Sequence, residues 1–139
     1  MAQTIAEPKD LLRKKIDDAE VTAFLAVLDP KTKVIRNELK EPRWISKRAG
    51  VVVYSDKDKA VIHTVFLYAE GHEGYKQYPR ALPHGLKFSM MKAQATSCFS
   101  SPADFTSDEH DTWDSDDYRI IVEYGDTGQI ATVTLTTDF

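Results

Sequence analysis

The amino-acid sequence predicts an α+β fold, in which hairpins build an antiparallel sheet and helices pack on one of its faces. Two β-branched runs each fold back on a polar or glycine-containing turn, and a helical pattern precedes each of them. The chain has 139 residues, of which 42% are hydrophobic. That length and composition suit a single domain with a buried core, spanning residues 1–139.

The first helical pattern covers residues 8–28. Its proline at the start suits a first turn, and its apolar residues follow the three-to-four spacing of one helix face. The pair Asp17-Asp18 leaves two alternatives open, since short acidic side chains favour N-caps: one long helix, or a second helix capped here. In both cases Asp29-Pro30 ends the helix.

The two hairpins are predicted in "GVVVYSDKDKAVIHTVFLY" and in "YRIIVEYGDTGQIATVTL". The first turns on the polar residues 55–59, and the second turns on residues 125–128. Between them, Ser89 offers an N-cap to the short helix "MMKAQATSCF", which Ser101-Pro102 closes. The charged stretches that precede the hairpins are predicted to be connectors.

The two halves, 8–68 and 86–139, show a similar plan of helix, proline stop, connector, tryptophan and hairpin. An offset of 69 places Trp44 on Trp113 and continues into the hairpins, where it also places Thr64 on Val133 and Phe66 on Leu135. A duplication and a chance likeness between two hairpins both explain this pattern.

Charge is distributed unevenly along the chain. Residues 1–102 carry 17 basic and 12 acidic side chains, whereas residues 103–139 carry 1 basic and 10 acidic side chains. The densest part is "SDEHDTWDSDD" at 107–117. A solvated loop and a surface for a basic partner both fit this stretch, and a nucleic acid is not expected as a partner because the stretch would repel phosphates.

Patterns for catalysis or metal binding are not found in the sequence. The acidic stretch lacks the glycine and the terminal glutamate of a calcium loop, and the four histidines form no zinc pair. Cys98 lies on the apolar face of the predicted short helix, where a buried thiol is the ordinary interpretation. We therefore expect no catalytic residue, no metal, no cofactor and no enzymatic activity.

The N-terminal segment has no apolar stretch of signal-peptide length, and the longest apolar runs are far too short to cross a bilayer. We expect a soluble cytoplasmic protein with no membrane partner. A chain whose native leader had been removed would look the same.

About the last 90 residues contain, in order, a turn of the form LP-x-GL, a short helix opening with serine, a proline stop, an aromatic residue and a hairpin with a glycine turn. The residues at these positions are Leu82, Pro83, Gly85, Leu86, Ser89, Ser101, Pro102, Trp113 and 125–130. In these features the segment resembles small cytoplasmic immunity proteins of bacterial polymorphic toxin systems. The tandem helix-plus-hairpin plan is also similar to the β-lactamase-inhibitor-like fold, whose members bind other proteins.

The resemblance implies an immunity protein that neutralises a cognate toxin by occluding its active site. The partner would be a toxin with a basic surface, for which a nuclease is the simplest candidate. A secretion chaperone or adaptor and, with less support, a small enzyme are the alternatives, and the oligomeric state stays open. The candidate partner-binding residues are Asp108, Glu109, Asp111, Trp113, Asp114, Asp116 and Asp117 in the acidic stretch, and Glu70, His72, Glu73, Tyr75 and Tyr78 in the glycine-rich loop.

Overall fold

The computed structural model describes Ile5 and residues 7–37 and 40–138. Within them, helix α1 is Ala19–Leu28, helix α2 is Lys92–Thr96, and short 3-10 helices lie at Pro8–Leu11, His72–Gly74 and Pro83–Gly85. The strands are β1 Ile35–Asn37, β2 Lys40–Ser46, β3 Val51–Ser55, β4 Ile62–Tyr68, β5 Phe105–Thr106, β6 His110–Asp114, β7 Arg119–Tyr124 and β8 Ile130–Thr136.

The described strands form one eight-stranded sheet in the order β1-β2-β3-β4-β8-β7-β6-β5. Every adjacent pair is antiparallel. The sheet thus consists of two four-stranded halves, each a chain of hairpins, whose last strands β4 and β8 pair at the centre. The predicted α+β class with an antiparallel sheet of hairpins is confirmed.

The N-terminal helical pattern is two elements rather than one long helix. The chain leaves the first turn after Leu11, and Arg13 adopts a positive φ of 70° while its backbone N–H donates to the Ile62 carbonyl. Helix α1 begins only after Asp18, whose carboxylate accepts from the Glu20 N–H at 2.9 Å. The alternative in which an aspartate caps a second helix is therefore confirmed.

The prediction that Ser89 caps the second helix is wrong. Helix α2 begins at Lys92, with Met91 as its N-cap residue. The Met90 carbonyl accepts from the Ile130 N–H at 3.0 Å, and Met91 forms an isolated bridge with Gln129. These bonds hold the chain extended against the second hairpin, so the helix cannot start earlier.

The two predicted connectors also contain strands. The charged segment before the first hairpin forms β1 and β2, and the acidic stretch contains β6. In β2 the residues Pro42, Trp44 and Ser46 are buried, and the residues between them are not. This period-two burial is the mark of a strand with one covered face, although the charged residues between the buried ones conceal it in the sequence.

The pairing of the hairpin strands aligns the two halves with two different offsets in residue number. The first strands of the hairpins are 69 residues apart, and the second strands are 68 residues apart. Val53 pairs with Val65 in the first half, and Val122 pairs with Val133 in the second. Val133 therefore corresponds to Val65, at an offset of 68, and not to Thr64 as the uniform offset of 69 predicts. The second turn is one residue shorter than the first, and a one-residue slip exchanges the faces of a strand.

The two tryptophans make equivalent contacts. The Trp44 Nε1 donates to the Thr32 carbonyl at 3.2 Å, and the Trp113 Nε1 donates to the Ser101 carbonyl at 3.1 Å. Each acceptor lies 12 residues before its tryptophan. Each indole thus joins a strand to the loop that follows the helical segment of its own half.

Helix α1 contributes Val21, Phe24 and Leu25 to the main buried cluster. The same cluster contains Val65 of β4 and Val133 of β8. That the helices as a group pack on one face stays a prediction.

Candidate functional site

The central strands present two faces because their side chains alternate. One face carries Val65, Leu67, Val133 and Leu135, which belong to the main buried cluster. We call the opposite face the threonine face. It consists of Val52 and Tyr54 of β3, Thr64, Phe66 and Tyr68 of β4, Thr132, Thr134 and Thr136 of β8, and Arg119, Ile121 and Glu123 of β7.

The side chains of the threonine face stand apart from the helix-containing core. Among the described residues, none of its members belongs to that cluster or packs against it as a partly buried residue. Tyr54, Phe66 and Ile121 are partly exposed. Val52, Tyr68 and the four threonines of the face are buried. The apolar and aromatic surface that the face presents to its surroundings is therefore limited to the three partly exposed side chains.

Aromatic rings form a connected group at the first-half side of this face. Tyr54 and Phe66 meet edge to face, with ring centres 5.8 Å apart. Tyr68 stacks on Tyr75 with ring centres 4.0 Å apart and planes 11° apart. The stack fixes the glycine-rich loop against the end of the sheet, where Tyr68 is buried and the Tyr75 ring stays partly exposed.

The threonines of β8 form the middle of the face. Thr136 shares a hydrogen bond of 2.9 Å with Thr64. Thr132 and Thr134 are only 5% and 4% exposed, and among the described residues their hydroxyls have no hydrogen-bond partner. A buried hydroxyl without a partner destabilises a fold by about 1–3 kcal/mol. Two such hydroxyls side by side therefore require an explanation.

One end of the threonine face is acidic. Burial raises the pKa of Tyr68, and the nearby Tyr75, Glu73 and Glu123 raise it further. Glu123 pairs across the strands with Thr132 on one side and with His110 on the other. Negative charge thus collects around the Tyr68 hydroxyl.

The glycine-rich loop crosses the end of the sheet. The Lys76 N–H donates to the Lys47 carbonyl at 2.7 Å, and the Tyr78 N–H donates to the Tyr68 carbonyl at 3.0 Å. A Cβ at Gly50 would lie 2.1 Å from the Lys76 carbonyl oxygen. Glycine is therefore required at position 50 for the loop to pass this closely.

Asp111, a predicted contact residue, is fully buried beside Val122. Its carboxylate accepts from Lys92 Nζ at 2.7 Å, from Tyr124 Oη at 2.7 Å and from Thr106 Oγ1. Burial pushes its pKa up, but these hydrogen bonds outweigh burial, and the pKa lies below its ordinary value. Asp111 ties α2 to the sheet and offers no surface to a partner.

Two predicted aromatic contacts are also buried. Trp113 is 6% exposed and stacks on Phe99, with ring centres 3.7 Å apart. Tyr78 is 2% exposed and belongs to the main cluster, where burial raises its pKa to about 12. The hypothesis of an exposed tryptophan anchor among carboxylates therefore does not describe this surface, because the strand alternation of β6 turns Trp113 inward.

The remaining candidates are accessible and fall into two groups. Near the acidic end of the sheet lie Glu70, His72, Glu73 and Tyr75 of the loop, and Asp108 and Glu109 of the β5–β6 turn. At the opposite end lie Asp114, Asp116 and Asp117. Asp114 forms an ion pair with Arg119, which lowers its pKa.

A cavity of about 360 Å³ lies at this opposite end. His84, Phe99 and Trp113 line it, together with Asp114 and Asp117. It brings three of the predicted residues together, although Trp113 contributes only the small exposed part of its ring.

Sequence reasoning missed the threonine face. The signal was present as period-two alternation in "ATVTLTT", where threonines alternate with apolar residues. Alternation of this kind indicates a strand with one polar and one apolar face, but it does not show that the threonines would be buried and without partners.

Within the described residues, no group of three or more histidine, cysteine, aspartate or glutamate side chains could hold a metal ion. No helix in the same part of the chain has the length and apolar character needed to cross a bilayer. No protein-family model, curated protein or solved structure matches the chain.

Proposed function

We propose that this chain is an immunity-type inhibitor, which acts by binding and not by catalysis. It lays the threonine face over the active site of a cognate protein toxin and excludes the toxin's substrate. The observation that carries the proposal is a sheet face with partly exposed aromatic residues which, within the described part of the chain, lies outside the main buried cluster to which α1 contributes.

The composition of the face suits a protein partner. Tyrosine and phenylalanine are enriched in the centres of protein interfaces, where they contribute a large share of the binding energy. Tyr54 and Phe66 meet these criteria, since both are partly exposed and neighbouring side chains hold them in place.

The threonine face supplies the centre of such an interface. Its four strands span about 14 Å at about 4.8 Å per spacing, and its seven-residue strands are about 23 Å long. A stable complex takes roughly 800 Å² from each partner, so the contact extends beyond the face onto neighbouring strands and the glycine-rich loop. The acidic end, with Glu73 and Glu123, favours a toxin with a basic surface, and a nuclease is the simplest candidate.

Co-expression with a candidate toxin tests the proposal. Cells that produce both proteins should grow, and the purified toxin should lose its activity when one equivalent of this chain is added. If a complex forms and the toxin stays fully active, the chain is a chaperone or adaptor. If no complex forms with any toxin encoded beside its gene, the proposal fails.

A surface variant tests the assigned face. Phe66→Ala combined with Tyr54→Ala removes the aromatic contacts and should weaken toxin binding by at least about 30-fold, corresponding to about 2 kcal/mol for hot-spot residues. Val27→Ala is the matched control, because Val27 is 66% exposed on α1 and lies outside the threonine face. Equal loss of binding in the control would show that the contact surface lies elsewhere.

A further inference from the structure

A row of three side chains crosses the acidic end of the threonine face. Tyr68 pairs with Thr132, and Thr132 pairs with Glu123 on its other side. Cross-strand neighbours have Cβ atoms about 5 Å apart, so Tyr68 and Glu123 stand about 10 Å apart with the short threonine between them. A short threonine thus lies between a longer aromatic side chain and a longer carboxylate side chain, and we call this row the notch.

The threonine of the notch carries an unused hydrogen-bonding group. Thr132 is 5% exposed, and no described residue bonds to its hydroxyl. Thr134, two residues along β8, is in the same condition. By contrast, Thr136 on the same strand is bonded to Thr64. Within the described residues, Thr136 at one end of the threonine row thus has a hydrogen-bond partner, whereas the hydroxyls of Thr132 and Thr134 have none.

The charged groups around the notch favour a cation. Glu123 is exposed, and no ion pair is found for it among the described residues. Glu73 and Glu123 both act electrostatically on the Tyr68 hydroxyl. His72 stacks on Tyr68 with ring centres 6.1 Å apart, and His110 faces Glu123. The acidic groups of the notch thus outnumber the fully charged basic groups beside it.

The tyrosine pair at the notch already receives one cation from the chain itself. Lys47 Nζ lies 5.9 Å from the centre of the Tyr75 ring, which is stacked on Tyr68. Aromatic rings attract cations through their negative faces, and a planar guanidinium stacks on them better than an ammonium does. A guanidinium also donates several parallel hydrogen bonds, which suits a carboxylate and a hydroxyl together.

We infer that the Tyr68–Thr132–Glu123 notch is a subsite for an arginine side chain of the bound protein. The guanidinium lies against Tyr68, pairs with the Glu123 carboxylate and donates to the Thr132 hydroxyl. The Thr132 hydroxyl is buried in the free protein, so binding requires the exposed Glu123 side chain to change its rotamer as it pairs with the guanidinium. The inference rests on the proposed function for the origin of the arginine, but the subsite itself is testable without a toxin.

The experiment uses the full chain and three capped tripeptides, Gly-Arg-Gly, Gly-Lys-Gly and Gly-citrulline-Gly. Amide and methyl NMR spectra at neutral pH and low salt follow each titration. The arginine peptide should shift the signals of Thr132, Thr134 and Glu123 saturably, with a Kd in the millimolar range. The citrulline peptide, which has the same shape without the charge, should bind at least about tenfold more weakly, and the lysine peptide should fall between them.

Two variants locate the site. Glu123→Gln should weaken arginine-peptide binding at least about tenfold, and Thr132→Val should weaken it severalfold while the free protein stays folded. Asp58→Asn removes the same charge from the turn between β3 and β4, at the far end of the sheet, and should leave binding unchanged. Shifts that do not saturate, that map elsewhere or that persist in Glu123→Gln would overturn the subsite.

The two proposals fail separately. If the chain neutralises a toxin but does not bind the arginine peptide, the arginine subsite is wrong and the inhibitor function stands. If the peptide binds at the notch and no toxin is neutralised, the subsite stands and the inhibitor function falls.

Discussion

Phe66 of β4 faces Thr134 of β8 directly across the centre of the sheet, and the two residues occupy the same position in the two halves. The hairpin registers place each residue of β8 at an offset of 68 from its counterpart in β4. The centre of the threonine face is therefore the point where the two halves meet. There one half supplies an aromatic ring, and the other supplies a hydroxyl to which no residue of the described ranges bonds.

The different hydrogen bonding of Thr134 and Thr136 on β8 predicts opposite effects of two valine substitutions on the free energy of unfolding. Thr134→Val removes a buried, unbonded hydroxyl and should raise the free energy of unfolding by about 1 kcal/mol. Thr136→Val removes the partner of Thr64 and should lower it by a similar amount. Urea denaturation of the free protein measures both. A stability loss in Thr134→Val would mean that its hydroxyl has a partner in solution.

Because the two indole N–H groups make equivalent hydrogen bonds, replacing either tryptophan should lower the free energy of unfolding by a similar amount. Trp44→Phe and Trp113→Phe each remove one N–H donor and leave a loop carbonyl without it, so each should destabilise the protein by about 2–3 kcal/mol through the lost bond and the reduced packing. Chemical denaturation followed by far-UV circular dichroism measures the two costs without relying on the tryptophan signal. Costs that differ by more than about twofold would argue against equivalent roles.

The close approach at Gly50 predicts a large effect of one methyl group. In Gly50→Ala the new Cβ would lie 2.1 Å from a backbone oxygen, and the residue would keep a φ of +66°, so the loop must move. A loss of at least about 3 kcal/mol is expected. Gly74→Ala is the control, since Gly74 also has a positive φ but open space around it, and it should cost only about 1 kcal/mol. Thermal denaturation compares the two variants.

The buried Asp111 predicts a contribution to acid sensitivity. Its folded-state pKa lies below the ordinary value of 3.8, so its carboxylate stabilises the fold fully above the unfolded pKa. That stability is lost as the pH falls through the folded pKa. Asp111→Asn should lower stability at pH 7 and flatten the loss of stability below about pH 4. The exposed Asp116→Asn serves as the control, and urea midpoints measured from pH 2 to 7 would show whether only the buried position changes the slope.

Removing the cation that neutralises Asp111 should have a larger effect than most surface changes. Lys92 Nζ bonds to the Asp111 carboxylate, to Thr106 and to the Ser107 carbonyl. Lys92→Met leaves the buried carboxylate without its charge partner and should destabilise the fold by about 2 kcal/mol at neutral pH. Lys87→Met, at an exposed position, is the control. Equal stability of the two variants would show that the Lys92 bonds contribute nothing.

The hairpins and the end of α1 were predictable because their signals are local, and the N-cap at Asp18 was one of two alternatives for the start of α1. β-branched runs, turn residues and an aspartate N-cap act within a few positions of the chain. The start of α2 was not predictable, since the bonds that hold Met90 and Met91 extended come from the second hairpin. Strands β2 and β6 were missed for two reasons. Charged residues between the buried positions of β2 concealed its period-two pattern, and in β6 a charged residue, Asp111, occupies a buried position.

The candidate contact residues also divide into those whose exposure was predictable from the sequence and those whose burial was not. Loop residues such as Glu73 and Tyr75 are accessible, as their composition predicts. Asp111 and Trp113 belong to the same acidic stretch, yet both are buried, because the stretch enters the sheet as β6. Residue composition alone does not tell which face of a strand a side chain occupies.

The sequence alone was enough to predict the α+β class, the two hairpins, the helix stop at Asp29-Pro30 and a similar plan in both halves. The tertiary structure was needed to show that β4 and β8 join the halves into one sheet and that Tyr68 and Glu123 flank Thr132. It was also needed to show that Thr132 and Thr134 lie buried, with hydroxyls to which no described residue bonds. Helix caps and turns depend on neighbours in the chain, whereas cross-strand pairs and buried charges depend on residues far apart in sequence.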